Sequence, residues 1–316
     1  MLPSVLPPSA TDHIPVLADD VRRLLSVCPG ETVVDCTFGA GGHAALLAAD
    51  LQGRGRFIAI DRDPSVRTYF ESFKRRFGSL QPRLLRGELS LVLEQLGSNG
   101  VQADAILLDL GVSSMQLDRP ERGFSYAVDA PLDMRMDPSA DVSAANLVNE
   151  ASEKELAQIF RRYGEERYAR QIARAVLRAR PLARTGELVD VIRAAIPAPA
   201  RFGEGHPAKR VFQALRIAVN DELGSLERAL PAALEMLRPG SRLAVISFHS
   251  LEDRIVKTFL RNAERGCTCP PDFPVCVCGN EPVMRALSRK PIRPSAEEVA
   301  ENPRAASARL RAAVKV

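Results

Sequence analysis

Residues 32–43 read TVVDCTFGAGGH. The first five are a short, apolar, β-rich run of the kind that forms a buried strand. Gly39, Gly41 and Gly42 then supply a tight turn, and residues 44–49 (AALLAA) continue with helical composition. Strand, glycine turn and helix form the opening unit of many nucleotide-binding sheets, because a turn without side chains lets the backbone approach a ligand closely. Asp35 ends the strand. Asp61 ends the next one, 19 residues after Gly42, where an acid can accept hydrogen bonds from ribose hydroxyls.

On the C-terminal side of this unit, residues 56–61 (RFIAID) predict a second strand and residues 64–77 a helix with proline near its start. Residues 83–86 predict a third strand. Residues 103–110 (ADAILLDL) predict a fourth, apolar one that carries Asp109 near its end. Strands alternating with helices imply an α/β fold built on a parallel sheet. The alternation then stops. Residues 111–138 are rich in Gly, Pro, Asp and Ser and read as a loop, a candidate lid. Residues 143–196 read as helices broken near Pro181, and residues 197–207 as a Pro/Gly break. One amphipathic helix is expected over about 208–237, with Val211, Phe212, Leu215 and Val219 at helical spacing and Pro231 as its point of interruption. Residues 242–248 (RLAVISF) return to strand character. The expected organisation is a nucleotide-binding domain from residues 1–138 and 221–316, interrupted by a helical domain at 139–220.

The charge is uneven. The chain has 316 residues, 46% of them hydrophobic, and a formal charge of only +4. Residues 151–220 nevertheless hold 14 Lys/Arg against 7 Asp/Glu. Such an asymmetry fits either a polyanion partner or a solvated helix surface. Arg167, Arg170, Arg174 and Arg178 recur every three or four residues and so share one helix face. Such a stripe can track phosphates, although Glu165 and Glu166 could neutralise part of it. Residues 1–11 contain three prolines and no basic residue, unlike a secretion signal. No apolar run is long enough for a membrane span. The expected compartment is the cytoplasm, where disulfides are rare. Cys28 and Cys36 are then expected as packed thiols. Cys267, Cys269, Cys276 and Cys278, spaced C-x-C-x6-C-x-C, could close a structural zinc site or remain four thiols. Four thiolates would leave no open position for zinc catalysis.

Two nucleotide cofactors suit a glycine turn followed by an acid. A dinucleotide needs its pyrophosphate on the helix N-terminus, and Asp35 directly before the turn opposes that charge. The same carboxylate suits the positively charged amino-acid end of S-adenosylmethionine, which electrostatics therefore favours over NAD.

Several longer blocks carry a resemblance. They are HIPVL from His13, DCTFGAGGH from Asp35, AIDRDP at 59–64, LLDLGVSSMQLD at 107–118, RGFSY at 122–126 and PLDMRMD at 131–137. YGEER at 163–167, FQALRIAVN at 212–220, SFHSLEDRIVK at 247–257 and ENPRAASARLR at 301–311 continue the series in order. With these blocks, which run from residue 13 to about 311, the chain resembles the MraW/RsmH family. The resemblance implies a Rossmann-like, S-adenosylmethionine-dependent methyltransferase sheet with a helical, RNA-recognising insertion. It implies N4-methylation of a cytidine in 16S rRNA, near the decoding centre of the small ribosomal subunit. It implies cofactor contacts at Gly41, Gly42, His43, Asp61, Asp109 and Gln116. Members often carry an aromatic residue where this chain has Leu89, which keeps an apolar wall but loses ring stacking against adenine.

An exocyclic cytosine amine is a poor nucleophile, and an acceptor on its N–H helps the nitrogen become tetrahedral. Related amino-methyltransferases carry an Asp/Asn-Pro-Pro-aromatic motif at the end of the fourth strand, where this chain has Asp109-Leu-Gly-Val. Asp109 therefore either contacts the cofactor, the preferred reading, or orients the amine, and the catalytic residue stays unassigned. His249 and Ser250 could touch the base; the favoured reading is a histidine capping the next helix, with Ser250 as N-cap and Asp253 completing a capping box. Competing functions are a DNA amino-methyltransferase, disfavoured by the missing Pro-Pro-aromatic motif, and an NAD-dependent oxidoreductase, for which no hydride-relay residue stands out. A non-catalytic RNA-binding assembly factor is a third. The oligomeric state stays open, a dimer among the options.

Overall fold

The computed structural model describes residues 15–201, 206–266, 269, 273–275 and 277–316. In chain order the first elements are α1 (Ala18–Leu25), β1 (Thr32–Asp35), α2 (Gly42–Asp50), β2 (Arg56–Asp61), α3 (Val66–Arg76), β3 (Arg83–Arg86), α4 (Leu89–Ser98) and β4 (Ala103–Asp109). Helices follow: α5 (Ser114–Leu117), α6 (Ala144–Glu150), α7 (Glu153–Gly164), α8 (Ala169–Ala179), α9 (Thr185–Ala195), α10 (Ala198–Arg201), α11 (Lys209–Asn220) and α12 (Glu222–Met236). The chain then forms β5 (Leu237–Ser247), α13 (Ser250–Arg265), β6 (Met284–Ala286), α14 (Ala296–Glu301) and β7 (Arg309–Lys315). No described helix is long and apolar enough to cross a membrane.

The chain divides into two compact units. The first takes in the described part of Met1–Asp61, with Ser65–Leu110 and Ala229–Val316. Its seven strands lie in the order β3-β2-β1-β4-β5-β7-β6. The first five pair in parallel, while β7 runs antiparallel to both β5 and β6. Val33, Val34, Phe57, Ile60, Ile106, Leu107, Leu243 and Ile246 are buried along these strands, as a sheet covered on both faces requires. The architecture is Rossmann-like. Strand order reverses between β1 and β4, so the carboxyl ends of these two strands flank the crevice where doubly wound sheets bind ligands. The β4-to-β5 connection contains the helical insertion, and Ala105 pairs with Arg242, 137 positions later.

The second unit comprises Arg62–Pro64 and Gly111–Arg228. Its core gathers Phe124, Leu132, Met134, Met136, Leu156, Phe160, Ile172, Val176, Leu188, Ile192, Phe212 and Leu215. Residues 111–138 are therefore not a free lid. Four of their apolar side chains join this core, and Arg122 pins the segment. Its Nη1 donates to the fully buried Asp63 at 2.9 Å, and its Nη2 donates to the carbonyls of Arg135 and Met136. Arg135 is structural, as its flanking acids suggest, with Nη2 2.7 Å from Asp133.

The single helix expected over 208–237 is two. It breaks at Asp221, which adopts φ 46°, while Pro231 lies inside α12. The cause is Asn220. Its Nδ2 donates to the Met134 carbonyl and its Oδ1 accepts from Met136 N–H. Its own carbonyl accepts from Arg62 Nη1 at 2.7 Å. The last carbonyl thus has a partner without a continuing helix.

Gly164, at the end of α7, lets that helix approach α11 closely, since a Cβ there would lie 2.5 Å from the Arg210 carbonyl oxygen. Gly164→Ala is expected to cost about 1–3 kcal/mol through overpacking, read as a lower urea midpoint at unchanged slope.

Candidate active site

The glycine turn is built by the strand before it. Asp35, 1% exposed, accepts from Thr37 N–H on Oδ1 at 3.1 Å. Thr37 Oγ1 in turn accepts from Asp109 N–H at 2.6 Å, tying the ends of β1 and β4 together. Phe38 N–H donates to the Ile60 carbonyl, and the Phe38 ring is buried edge-on against Phe70 and Phe73. Gly41 N–H closes the turn on the Phe38 carbonyl at 2.8 Å. Gly41 sits at φ 82°, and a Cβ there would meet the Phe38 ring at 2.9 Å. Both facts require glycine. Asp61 stiffens the same turn, with Oδ2 accepting from Gly39 N–H at 2.8 Å. Gly42 and His43 begin α2, and His43 is buried.

Three carboxyl groups therefore stand at the carboxyl ends of β1, β2 and β4. Burial, with the Asp61 charge adding to it against the Thr37 hydrogen bond, pushes the Asp35 carboxyl up to about 7. Burial first, then the charges of Asp35 and Glu252, push Asp109 up to about 8. Asp109 Oδ1 is buried without a hydrogen-bond partner among the described residues. Its Oδ2 stands 3.6 Å from His43 Nε2, beyond hydrogen-bond range. A buried acceptor left unpaired costs about 1–3 kcal/mol, and acids raised together in one crevice mark a place that gains from a bound cation. Leu89 opens α4 after β3 and is half-buried, following an N-cap in which Glu88 accepts from Ser90 and Leu91 N–H.

The structure thus brings Gly41, Gly42, His43, Asp61 and Asp109 to one edge of the first unit. Gln116 belongs to the second unit, on α5. There its Nε2 donates to Asp63 at 2.9 Å and its Oε1 accepts from Ser113 N–H at 3.0 Å. The histidine does cap α13 as expected, but His249 itself rather than Ser250 is the N-cap, and the box partner is Glu252 rather than Asp253. Glu252 Oε2 accepts from the N–H groups of Phe248 and His249. Asp253 is held instead by Arg309 and Arg311. The cap starts one residue early because His249 already has extended backbone and its Nδ1 accepts from Glu252 N–H.

On α8 and the residues just before it, Arg167, Arg170, Arg174 and Arg178 are all exposed. Arg174 pairs with Glu153, and Arg167 lies 4.7 Å over the Tyr168 ring. Glu166 does not neutralise this stripe; it is buried and accepts from Tyr168 N–H. Cys36 is buried, but Cys28 is exposed, contrary to its expected packing. Cys28 follows the end of α1, where it donates through its thiol to the Ser26 carbonyl. Of the cysteine cluster, Cys267 and Cys276 lie outside the described residues. Cys269 and Cys278 are half-buried, and Cys269 Sγ accepts from Val277 N–H at 3.4 Å.

Sequence reasoning missed Thr37, Asp63, Arg122 and Glu252. Only Glu252 had a local signal, its position three residues after a capping side chain.

The family model of the MraW methylases matches residues 10–316. The ribosomal RNA small subunit methyltransferase H of Heliobacterium modesticaldum is 56% identical over 312 residues, covering 96% of this chain and 98% of that protein. The protein of the same name from Symbiobacterium thermophilum is 52% identical over 311 residues, covering 97% and 98%. That of Geobacter sulfurreducens is also 52% identical over 311 residues, covering 96% and 99%. Among solved structures, an rRNA methylase from Streptococcus thermophilus aligns with a TM-score of 0.41 at 11% identity over 95% of this chain and 93% of that one, too remote a likeness to carry an argument.

Proposed function

The chain belongs to the MraW methylase family, and from that premise we propose that it methylates N4 of a cytidine in small-subunit (16S) rRNA, near the decoding centre, with S-adenosylmethionine as methyl donor. The observation that carries the reading is the group of acids around the glycine turn at the strand-order reversal. Two of them, Asp35 and Asp109, are raised by burial and by neighbouring carboxylates. That charge pattern fits a cationic nucleoside and opposes a pyrophosphate.

When bound, S-adenosylmethionine supplies a methyl group on positively charged sulfur, and the protein mainly supplies position and electrostatics. Gly41 and Gly42 let the backbone approach the amino-acid end, and Asp35 provides its counter-charge. Asp61 accepts from the ribose hydroxyls. Leu89 forms an apolar wall for the base. His43 completes the set within the first unit, and the family resemblance adds Gln116, which Asp63 orients within the second unit. Asp109 faces the cofactor with the Oδ1 that has no partner among the described residues. The inserted segment 139–220 serves RNA recognition, with the arginine stripe on phosphates, although the compact unit that holds it also takes in residues 111–138 and 221–228; the sheet-bearing unit serves the cofactor. The target base must leave its stack to be reached, as for other base-modifying enzymes.

Radiolabelled methyl transfer to small subunits from a strain lacking the enzyme tests the activity, with N4-methylcytidine as the expected product. Label on another nucleoside or on duplex DNA alone rejects it. Asp109→Ala is expected to weaken cofactor binding about tenfold or more, measured by titration; unchanged affinity with lost turnover would assign Asp109 to the amine instead. For Cys267, Cys269, Cys276 and Cys278, a structural zinc predicts near-stoichiometric metal in purified protein, and metal-free protein means four thiols.

A further inference from the structure

The sheet of the first unit has a second charged edge, opposite the one that carries the acids. β2 starts at Arg56 and β3 at Arg83, while α3 ends at Arg76, so residues 77–82 alone return the chain to the same edge. The loop before β2 meets the turn after α3, since a Cβ added at Gly53 would lie 3.2 Å from Ser79 Oγ. Arg54, Arg56, Lys74, Arg75, Arg76 and Arg83 are thereby gathered at this edge, and all six are exposed. Residues 51–60 and 72–87 contain no Asp or Glu. Among the described residues none of the six forms an ion pair. The side-chain contacts here are Arg75 Nη2 to Ser72 Oγ at 2.9 Å and Arg76 at 5.0 Å over the Phe77 ring.

Two ordinary causes cover part of this charge. Cations in the last turn of α3 complement its dipole, which accounts for Lys74, Arg75 and Arg76. A charged edge strand resists pairing with other chains, which accounts for Arg83. Neither calls for Arg54 and Arg56, on the loop and first residue of an inner strand, nor for the lack of acids in both segments. Six cations, against the partly buried Glu31 whose carbonyl accepts from Arg56 N–H, leave this edge strongly net positive, which raises the local potential and attracts a polyanion.

We propose that this edge grips the phosphate backbone of a structured RNA segment lying away from the nucleotide that is modified. The inference rests on the RNA-methylating reading above and adds to it a second contact region. Arg56 and Asp61 are five strand steps apart, about 17 Å at ~3.3 Å per residue. A phosphate held here therefore cannot belong to the target nucleotide. The surface sets affinity for the RNA and leaves the chemical step alone. Because the contacts are to phosphates, they carry salt dependence and no sequence preference.

The test uses the full chain with Lys74→Gln, Arg75→Gln and Arg83→Gln combined, and small subunits lacking the modification as substrate. KM for the subunits is expected to rise about tenfold or more at physiological salt. The slope of log affinity against log salt should become shallower by about 2, near 0.7–0.9 for each phosphate no longer neutralised. The kcat at saturating subunits and the S-adenosylmethionine affinity should stay unchanged, which also shows that the variant is folded. A charge-preserving variant, Lys74→Arg with Arg83→Lys, should keep both KM and slope. Unchanged KM and slope in the triple variant, with wild-type methyl transfer intact, overturn the proposal alone. So does an equal loss in the charge-preserving variant, or lost binding to anionic phospholipid vesicles with RNA affinity intact. If the wild-type protein methylates no RNA, the functional reading fails first and this inference with it.

Discussion

Asp35→Asn is expected to lower S-adenosylmethionine affinity by about 100-fold or more while making the ligand-free protein more stable above neutral pH. The affinity loss follows from removing the counter-charge at the glycine turn, an interaction in a crevice where screening by water is weak. The stability gain follows from linkage. The carboxyl titrates near 7 in the folded chain and near 3.8 when exposed. Between pH 4 and 7 the folded chain thus keeps a proton that the unfolded chain has lost. Stability contributed by this group therefore falls as pH rises through that window and levels off above 7. Asparagine does not titrate, and its side-chain oxygen can still accept from Thr37 N–H. At pH 8 the variant should gain on the order of 1–3 kcal/mol in urea unfolding, with little difference from wild type at pH 4. Affinity within a few fold of wild type would remove Asp35 from the site. For the unaltered protein the same electrostatics predicts proton release on binding near pH 7.5, seen as binding heats that depend on the ionisation enthalpy of the buffer.

The second large effect is expected at Arg122. Arg122→Leu leaves the fully buried Asp63 without its cation and the Arg135 and Met136 carbonyls without their donor. Breaking a buried pair from one side costs about 3–5 kcal/mol, enough to unfold much of the second unit at 37 °C. Loss of hydrogen-exchange protection is expected around residues 122–136 first. Asp63→Asn should be milder, because its amide oxygen can still accept from Gln116 and Arg122. Equal tolerance of both substitutions would show that core packing alone holds this segment.

Much of the first unit is legible in the sequence because its parallel strands are nearly all apolar. Runs such as FIAI in β2 and AILL in β4 predict strands wherever they stand, and Asp35, Asp61 and Asp109 fall near their ends by position alone. β6 and β7 escape such a reading. RLRAAVK mixes charge with small residues, and β7 is defined by its antiparallel partners β5 and β6. The break at Asp221 is equally silent, since an ordinary helical sequence surrounds it and its cause, the Asn220 bonds to Met134 and Met136, lies more than 80 positions away. Proline misled there, because Pro231 drew attention that a left-handed aspartate warranted. In the site, local chemistry was readable, whereas Asp63 and Arg122 act as a pair 59 positions apart and leave no periodic trace.

The insertion between β4 and β5 also has a kinetic consequence. These strands are neighbours in the finished sheet, yet Ala105 must wait for Arg242. Stretching a typical crossover of about a dozen residues roughly tenfold adds about 2 kcal/mol of loop-closure entropy. That penalty shrinks if the intervening helices have already condensed around Phe160 and Phe212, for the searching ends are then joined by a compact body instead of a slack tether. The order in which the parts consolidate would thus be written into the connectivity, with the interruption maturing before the domain it interrupts.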